Sequence, residues 1–185
     1  MRIISGYLKG KSINFLKNNN TRPLKDIVKE NIFNILKHSS LINLNIEKSN
    51  ILDLYSGIGS FGIECISRGA KKVFFIEKNL LASKILKENL INLSVVEKAK
   101  IFNEKVEVTL KKCKEKFDII FFDPPYADTN FIYNLEIIKE KILYKEKHIV
   151  IIHRDKNSND YLEKKLNVIN TKLYGKSKII FGLFN

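Results

Sequence analysis

Short apolar segments alternate with segments of helical apolar spacing from residue 50 to the end of the chain. This alternation predicts an α/β fold, in which helices cover both faces of a mostly parallel sheet. Residues 117–122 and 148–153 are largely apolar, which is typical of parallel strands buried on both faces. The full prediction places strands at 51–55, 72–76, 100–103, 117–122 and 148–153, and helices at 61–68, 80–93, 106–113 and 130–143.

The two ends of the chain depart from this alternation. Residues 166–174 and 178–184 predict a hairpin that adds an antiparallel edge to the sheet. Residues 2–13 predict a small hairpin, and a helix is predicted to start at Thr21-Arg22-Pro23, where a threonine can cap and a proline suits the first turn. We therefore divide the chain into an N-terminal extension at 1–49, packed on a main domain at 50–185.

Composition narrows the class of protein. The chain has 185 residues, of which 44% are hydrophobic and 29% charged, so it is long and apolar enough to fold as a globular domain. No apolar run approaches the roughly 18 residues of a membrane span, and residues 1–7 lack the apolar stretch of a signal peptide, so we expect a cytoplasmic protein. Two cysteines and three histidines without ligand spacing predict neither a disulfide framework nor a metal site.

The charge is strongly basic. The net charge is +13, from 33 basic and 20 acidic residues. Such a balance favours a polyanionic partner, although abundant Lys with Ile and Asn is also typical of an AT-rich genome. The excess is densest in residues 1–50, which carry nine Lys and Arg against three Asp and Glu. Charge alone leaves open both a nucleic-acid-facing flank and a solvated basic surface.

Residues 53–62 contain the pattern Gly-x-Gly-x-x-Gly between a predicted strand and a predicted helix. Glycines there let the backbone approach a ligand, and the following helix offers free N–H groups. Glu77 ends the next strand, where a carboxylate can accept hydrogen bonds from ribose hydroxyls. The pattern predicts a nucleoside-containing cofactor. Asp53 favours S-adenosylmethionine over a dinucleotide, because an acid repels a pyrophosphate but can bind a cationic amino acid moiety.

The sequence Asp123-Pro124-Pro125-Tyr126 directly follows the predicted strand at 117–122. Adjacent prolines fix the backbone and lack N–H groups, so the Pro124 carbonyl can act as an acceptor beside the Asp123 carboxylate. Two acceptors suit an exocyclic amino group with two N–H donors, and they would aim its lone pair at an electrophilic methyl group. Tyr126 offers an aromatic face on which a base can stack. The four residues therefore predict a substrate site.

These patterns resemble known family signatures. The loop at 53–62 with Glu77 resembles class I S-adenosylmethionine-dependent methyltransferases, and residues 123–126 resemble the Asp/Asn-Pro-Pro-Tyr/Phe signature of amino-methyltransferases. Residues 2–6, 21–26 and 29–34 further resemble the N-terminus of the RsmD family. The resemblance covers nearly the whole chain. It implies a Rossmann-like class I methyltransferase fold, with a mostly parallel seven-stranded sheet, an antiparallel C-terminal edge hairpin and a small N-terminal extension.

Members of the RsmD family methylate N2 of a guanine in bacterial small-subunit (16S) ribosomal RNA. The resemblance implies the same reaction here, with S-adenosylmethionine as donor and ribosomal RNA as partner, within the small subunit or its assembly intermediate; we expect a monomer. The implied catalytic residues are Asp123, Pro124, Pro125 and Tyr126. The implied cofactor-binding residues are Asp53, Tyr55, Ser56, Gly57, Gly59, Glu77 and Lys78. The residues implied to contact RNA are Arg2, Arg22, Lys25 and Lys29.

Some positions depart from the family pattern. Lys25 stands where the family usually has a small hydroxyl residue. Residues 103–105 follow the third strand without the usual acceptor for the adenine, so we name no side chain for that role. His153 follows the fifth strand, where an acid is common, and we interpret it as a surface histidine with satisfied hydrogen bonds.

Other functions remain open at this point. The motif at 123–126 also fits methylation of adenine N6 or of a glutamine side chain, although the compact N-terminus counts against a DNA enzyme that must choose its own sites. The Gly-rich loop alone also fits a nicotinamide-dependent oxidoreductase, which would leave the Pro-Pro-Tyr sequence unexplained. An inactive RNA-binding module would have no need of the intact motif. Methylation of guanine N2 therefore remains the leading hypothesis.

Overall fold

Seven strands and five α-helices make up the regular structure of residues 1–15, 24–39, 42, 44–162 and 164–185, which this computed structural model describes. The strands are β1 (Asn50–Leu54), β2 (Lys72–Ile76), β3 (Ala99–Phe102), β4 (Phe117–Phe122), β5 (Tyr144–Asp155), β6 (Asn167–Tyr174) and β7 (Ser177–Leu183). The helices are α1 (Asp26–His38), α2 (Ser60–Ser67), α3 (Leu80–Asn92), α4 (Val106–Lys112) and α5 (Phe131–Glu140), with a 3₁₀ turn at Val96–Lys98. Across these residues, no helix has the length and apolar character needed to cross a membrane.

The strands form one sheet in the order β3-β2-β1-β4-β5-β7-β6. The first five strands pair in parallel, whereas β7 runs antiparallel to both β5 and β6. The predicted α/β fold, with a mostly parallel seven-stranded sheet and an antiparallel C-terminal hairpin, is thus confirmed. The strand order reverses between β1 and β4, and open α/β sheets bind ligands beyond the carboxyl ends of the strands at such a point.

The predicted elements agree with the structure to within one residue, with two exceptions in the main domain. Helix α5 ends at Glu140 because Ile142 adopts a left-handed φ of 52°, although the apolar spacing continues to Leu143. Strand β5 begins at Tyr144 and not at residue 148, because Tyr144 pairs with Phe117 across the sheet. The charged residues 145–147 hide this early start from a search for apolar strands.

The N-terminal segment agrees with its prediction in part. Residues 1–3 and 10–13 pair antiparallel as a small hairpin: Arg2 and Ser12 form a bridge, and the N–H groups of Ile3 and Ile13 donate to the carbonyls of Lys11 and Met1, each at 2.9 Å. The segment also binds α2, because the N–H groups of Tyr7 and Leu8 donate to the carbonyl and the hydroxyl of Ser67. Helix α1 begins at Asp26, and residues 21–23, where its start was predicted, lie outside the described residues.

The core has two parts, one on each face of the sheet. On the face covered by α1, α2 and α3, Ile3 and Val28 share a buried apolar cluster with Ile51 and Phe121 of the central strands. The opposite face packs against α4 and α5 through a second cluster. The N-terminal residues therefore share a core with the main sheet, and the division of the chain at residue 49 stays a prediction.

One buried carboxylate in α2 binds the N-terminal segment. Glu64 is fully buried and accepts the N–H groups of Ile4, at 2.8 Å, and Ser5, at 3.0 Å. It also forms ion pairs with the Nε of Arg68, at 2.8 Å, and with the Nζ of Lys29, at 3.8 Å. Burial lowers the pKa of Lys29, and the charge of Glu64 acts in the opposite direction. Two cations and two N–H groups thus depend on one side chain.

We expect Glu64→Ala to lower the free energy of unfolding by about 3–5 kcal/mol, because it leaves two N–H groups without their acceptor and leaves buried Lys29 with only the half-exposed Asp26, at 3.7 Å, as a partner. Urea denaturation measures this loss. The control is Glu115→Ala, which removes an ion pair with Lys100 whose two side chains are 43% and 49% exposed. An exposed pair contributes at most about 1 kcal/mol. Equal, small losses in the two variants would contradict the role of Glu64.

Candidate active site

A cavity of about 560 Å³ lies at the carboxyl ends of β1, β2 and β4. Most of the residues predicted from the two motifs line it: Asp53, Tyr55, Ser56, Gly57, Glu77, Lys78, Asp123, Pro124, Pro125 and Tyr126. Phe15, Lys105 and His153 also line it, and sequence reasoning assigned no site role to any of the three. The fold therefore brings the two predicted motifs, about 70 positions apart in the chain, to a single cavity.

The loop after β1 has an unusual backbone. Tyr55, Gly57 and Gly59 all adopt left-handed conformations, with φ of 59°, 55° and 85°. Gly59 is the N-cap of α2, and a Cβ atom there would lie 2.3 Å from the Cδ1 of Leu86. This glycine thus allows α2 to start close to α3, and it is not among the residues that line the cavity. Its predicted contact with a cofactor stays a prediction.

Glu77 joins two neighbouring loops. Its Oε2 accepts the N–H of Gly57 at 2.8 Å, and its Oε1 accepts the N–H of Asn79 at 2.7 Å. The carboxylate therefore fixes the glycine loop against the start of α3. Each oxygen of an ionised carboxylate can accept a second hydrogen bond, so Glu77 can still bind hydroxyl groups of a ligand.

Asp53 is 1% exposed and accepts the N–H of Gly62 at 2.9 Å. Burial raises the pKa of Asp53 well above its usual range; the Gly62 N–H acts against this rise, while nearby Asp123 and Glu77 add to it. These three carboxyl groups line one cavity together with Glu107 and Asp128. A positively charged ligand would relieve their mutual repulsion.

The hydroxyl of Ser56 is a second sign that the cavity binds a polar ligand. Its Oγ is buried and has no hydrogen-bond partner among the described residues. A buried polar atom without a partner costs about 1–3 kcal/mol. Because Ser56 lines the cavity, a ligand with a donor or acceptor at this point would satisfy it.

Arg154 of β5 holds the loop that contains the second motif. Its guanidinium is 2% exposed and donates to the carbonyls of Pro125, at 3.1 Å, and Tyr126, at 3.0 Å. Asp160, whose side chain is 7% exposed, accepts two further hydrogen bonds, at 3.0 and 3.1 Å, and balances the charge. Sequence reasoning missed this role; the available signals were an arginine at the end of a buried strand and an acid six residues later.

His153 contacts the predicted catalytic aspartate. Its Nδ1 lies 2.8 Å from the Oδ1 of Asp123, and its Nε2 lies 2.9 Å from the Oγ of Ser177. The histidine is only 7% exposed. The interpretation of His153 as a surface residue is therefore wrong, because the neighbouring strands enclose its ring.

The predicted RNA-contacting residues differ in their exposure. Arg2 and Lys25 are exposed, and Arg22 lies outside the described residues. Lys29 is 1% exposed, and its Nζ donates to the carbonyl of Arg2 at 3.2 Å. The prediction that Lys29 contacts RNA is wrong, because its ammonium group is enclosed between α1, α2 and the N-terminal segment and pairs with Glu64.

Within the described ranges, no three His, Cys, Asp or Glu side chains come together in a way that could hold a metal ion. The sheet order, the glycine loop and the Asp-Pro-Pro-Tyr sequence after β4 together define a Rossmann-like methyltransferase fold. Residues 1–182 match the family described as "Conserved hypothetical protein 95". The chain belongs to this family, the RsmD family of methyltransferases.

The chain is also similar to individual proteins that carry methyltransferase names. A Buchnera aphidicola (subsp. Baizongia pistaciae) protein named "Ribosomal RNA small subunit methyltransferase D" is 31% identical over 184 residues, which cover 100% of this chain and 91% of that one. A Haemophilus influenzae protein of the same name is 37% identical over 129 residues, covering 68% and 64% of the two chains. The crystal structure of a "putative methylase" from Haemophilus influenzae is 28% identical, with a TM-score of 0.77 and coverage of 98% and 96%. The predicted family is thus confirmed, while the roles of the individual site residues stay predictions.

We expect Asp53→Asn to flatten the dependence of stability on pH in the ligand-free protein. Because the folded pKa of Asp53 is raised, the folded protein holds a proton that the unfolded chain releases above about pH 3.9. Stability therefore falls as the pH rises toward the folded pKa. Asparagine can still accept the Gly62 N–H, but it carries no charge.

Thermal unfolding between pH 5 and pH 8 measures this effect. The melting temperature of the wild type should fall more steeply than that of Asp53→Asn, and the variant should be the more stable protein at pH 8. Glu88→Gln, at an exposed position of α3, serves as the control and should follow the wild type. Parallel profiles for the wild type and Asp53→Asn would contradict the prediction.

Proposed function

We propose that this protein transfers a methyl group from S-adenosylmethionine to the exocyclic N2 amino group of a guanine in small-subunit ribosomal RNA. The observation that carries the proposal is the position of Asp123 and Pro124, which line the same cavity as the glycine loop and Glu77. The relatives named "Ribosomal RNA small subunit methyltransferase D" support ribosomal RNA as the substrate.

The cavity fits this cofactor in charge and in hydrogen bonding. S-adenosylmethionine carries a sulfonium and an ammonium group, which suit the carboxyl groups of Asp53 and Glu77 beside the glycine loop. Glu77 keeps acceptor capacity for the ribose hydroxyls, and the Ser56 hydroxyl lacks a partner that a ligand can supply. When bound, the cofactor supplies a methyl group whose carbon is electrophilic because it is attached to a positively charged sulfur.

Asp123 and Pro124 would act on the substrate. The amino nitrogen of guanine is a weak nucleophile because its lone pair is conjugated with the ring. Hydrogen bonds from this amino group to the Asp123 carboxylate and the Pro124 carbonyl would hold the nitrogen as it loses planarity, and Asp123 can take up the proton that the nitrogen releases. Tyr126, which is partly exposed beside the cavity, would stack on the base. Positioning of this kind supplies much of the rate in such transfers.

The exposed residues Arg2 and Lys25, together with Arg22, would bind RNA phosphates near the site. The basic surface that they offer is small, which favours an assembled small-subunit particle over free RNA as the substrate. We propose that the protein acts on this particle in the cytoplasm, as a monomer.

Labelled S-adenosylmethionine tests the proposal directly. The purified protein is incubated with small ribosomal subunits that lack the modification, with protein-free ribosomal RNA and with duplex DNA, and the product nucleosides are identified by mass. N2-methylguanosine from the ribosomal samples alone is the expected result. Label in N6-methyladenine or in ribosomal protein would overturn the proposed substrate.

We expect Asp123→Ala to lower turnover by about 10²–10³-fold, since it removes an acceptor aimed at the reacting group. Binding of S-adenosylmethionine, measured by calorimetry, should change little, because this acceptor serves the substrate. Glu77→Ala should show the opposite pattern, with cofactor binding weakened about tenfold or more by loss of a charged hydrogen-bond acceptor.

The control for this prediction is Glu140→Ala at the end of α5, a carboxylate that is exposed and does not line the cavity. Its removal should change turnover by no more than about twofold. Near-normal turnover in Asp123→Ala would refute the role of Asp123.

A further inference from the structure

We propose that His153 is a positioning residue for the methyl transfer, a role that rests on the proposed function. A hydrogen bond from its Nδ1 to the Oδ1 of Asp123 fixes the orientation of the carboxylate and leaves Oδ2 for the amino group of the substrate. The Asp123 carboxylate selects the form of the imidazole ring that carries its proton on Nδ1, and the hydroxyls of Ser177 and Tyr126 are compatible with that form.

The sheet places His153 beside Asp123. Strands β4 and β5 are parallel, and Phe122 pairs with Ile152. The residues that follow this pair, Asp123 and His153, are therefore neighbours across the two strands, although 30 positions separate them in the chain. Side chains alternate between the two faces of a strand, so both residues share the face of the sheet that carries Phe121.

The hydrogen-bond partners determine where the proton of the ring lies. Asp123 Oδ1 belongs to a carboxylate, which in its ionised form only accepts hydrogen bonds. The Nε2 atom lies 2.9 Å from the Ser177 hydroxyl and 3.5 Å from the Tyr126 hydroxyl, and each of these hydroxyls has a proton to donate. A ring with its proton on Nδ1 satisfies the contact with Asp123, and the two hydroxyls can either donate to Nε2 or accept from it. The alternative neutral form would place a bare nitrogen against the carboxylate.

Burial strengthens this arrangement. His153 is 7% exposed and Ser177 is 9% exposed, so water competes little for the hydrogen bonds between them. The side chain of Asp123 is 25% exposed and lines the cavity. One side of the carboxylate is thus fixed by the protein, while the other side remains accessible to a substrate.

A fixed carboxylate matters because the terminal torsion of an aspartate is soft. Without the imidazole, the Asp123 carboxylate can rotate away from the amino group, and a displacement of about 1 Å in a reacting group can cost about 10²-fold in rate. The ring of His153 also meets the ring of Tyr126 edge-on, with 5.9 Å between their centroids. A single buried side chain therefore contacts both the residue that would orient the amino group and the residue that would stack on the base.

Two amide variants of His153 distinguish a role in orienting Asp123 from a role in packing alone. The side-chain amide of asparagine can replace the Nδ1–H donor of histidine, whereas that of glutamine lies closer to the position of Nε2. We expect His153→Asn to keep kcat within about threefold of the wild type. We expect His153→Gln to lower kcat about 10–100-fold, through displacement of the carboxylate, with KM for the RNA substrate and Kd for S-adenosylmethionine nearly unchanged. Ser177→Ala should lower kcat by a smaller factor.

The melting temperature and cofactor Kd of each variant show that it is folded, and kcat is measured on the acceptor that product analysis identifies. Equal kcat values in the Asn and Gln variants would overturn the inference while leaving the proposed function intact. If the wild type instead methylates a different amino group while kcat still differs between His153→Asn and His153→Gln, that result would overturn the proposed substrate and support the role of His153. A wild type without activity on any of the acceptors would overturn both.

Discussion

Parallel pairing of β1, β4 and β5 is the constraint on which the site depends. Because parallel strands end at the same edge of a sheet, Asp53, Asp123 and His153 approach one cavity from three strands. The preceding residues of these strands are apolar, and they pack into the core on both faces of the sheet. Polar groups can be held close together at this edge because the rest of the sheet supplies the rigidity, and a shift of the β4–β5 register by one residue would separate the histidine from the aspartate.

Much of the main domain could be predicted from sequence, since its strands and helices are short and clearly periodic. The bounds of β2 and β4 are correct because both strands are apolar and end at a polar residue or a turn. The structure brings the two motifs to one cavity, because each follows a strand of the parallel sheet. The sequence did not predict the burial of polar side chains whose partners lie far away in the chain. The environments of Lys29 and His153 depend on Glu64 and Asp123, 35 and 30 positions away.

Two features of the candidate site, a buried carboxyl group and a strained backbone, lower the stability of the ligand-free protein. Asp53 is buried beside two other carboxyl groups, and Tyr55 adopts a left-handed conformation that a residue with a side chain rarely takes. Both features occur in the loop after β1, where the backbone turns from the strand toward α2. A ligand with positive charge and hydrogen-bonding groups would relieve part of this cost, so the binding site lowers the stability of the empty protein.

The hydrogen bond from Ile4 to Glu64 joins residues 60 positions apart, and this separation affects the order of folding during synthesis. A ribosome adds roughly 5–20 residues per second, so the N-terminal segment leaves it about 3–12 s before Glu64 is available. During that interval its apolar residues Ile3 and Leu8 have no helix to cover them. Residues 1–15 are therefore made before α2, yet they can join the folded protein only after α2 has formed.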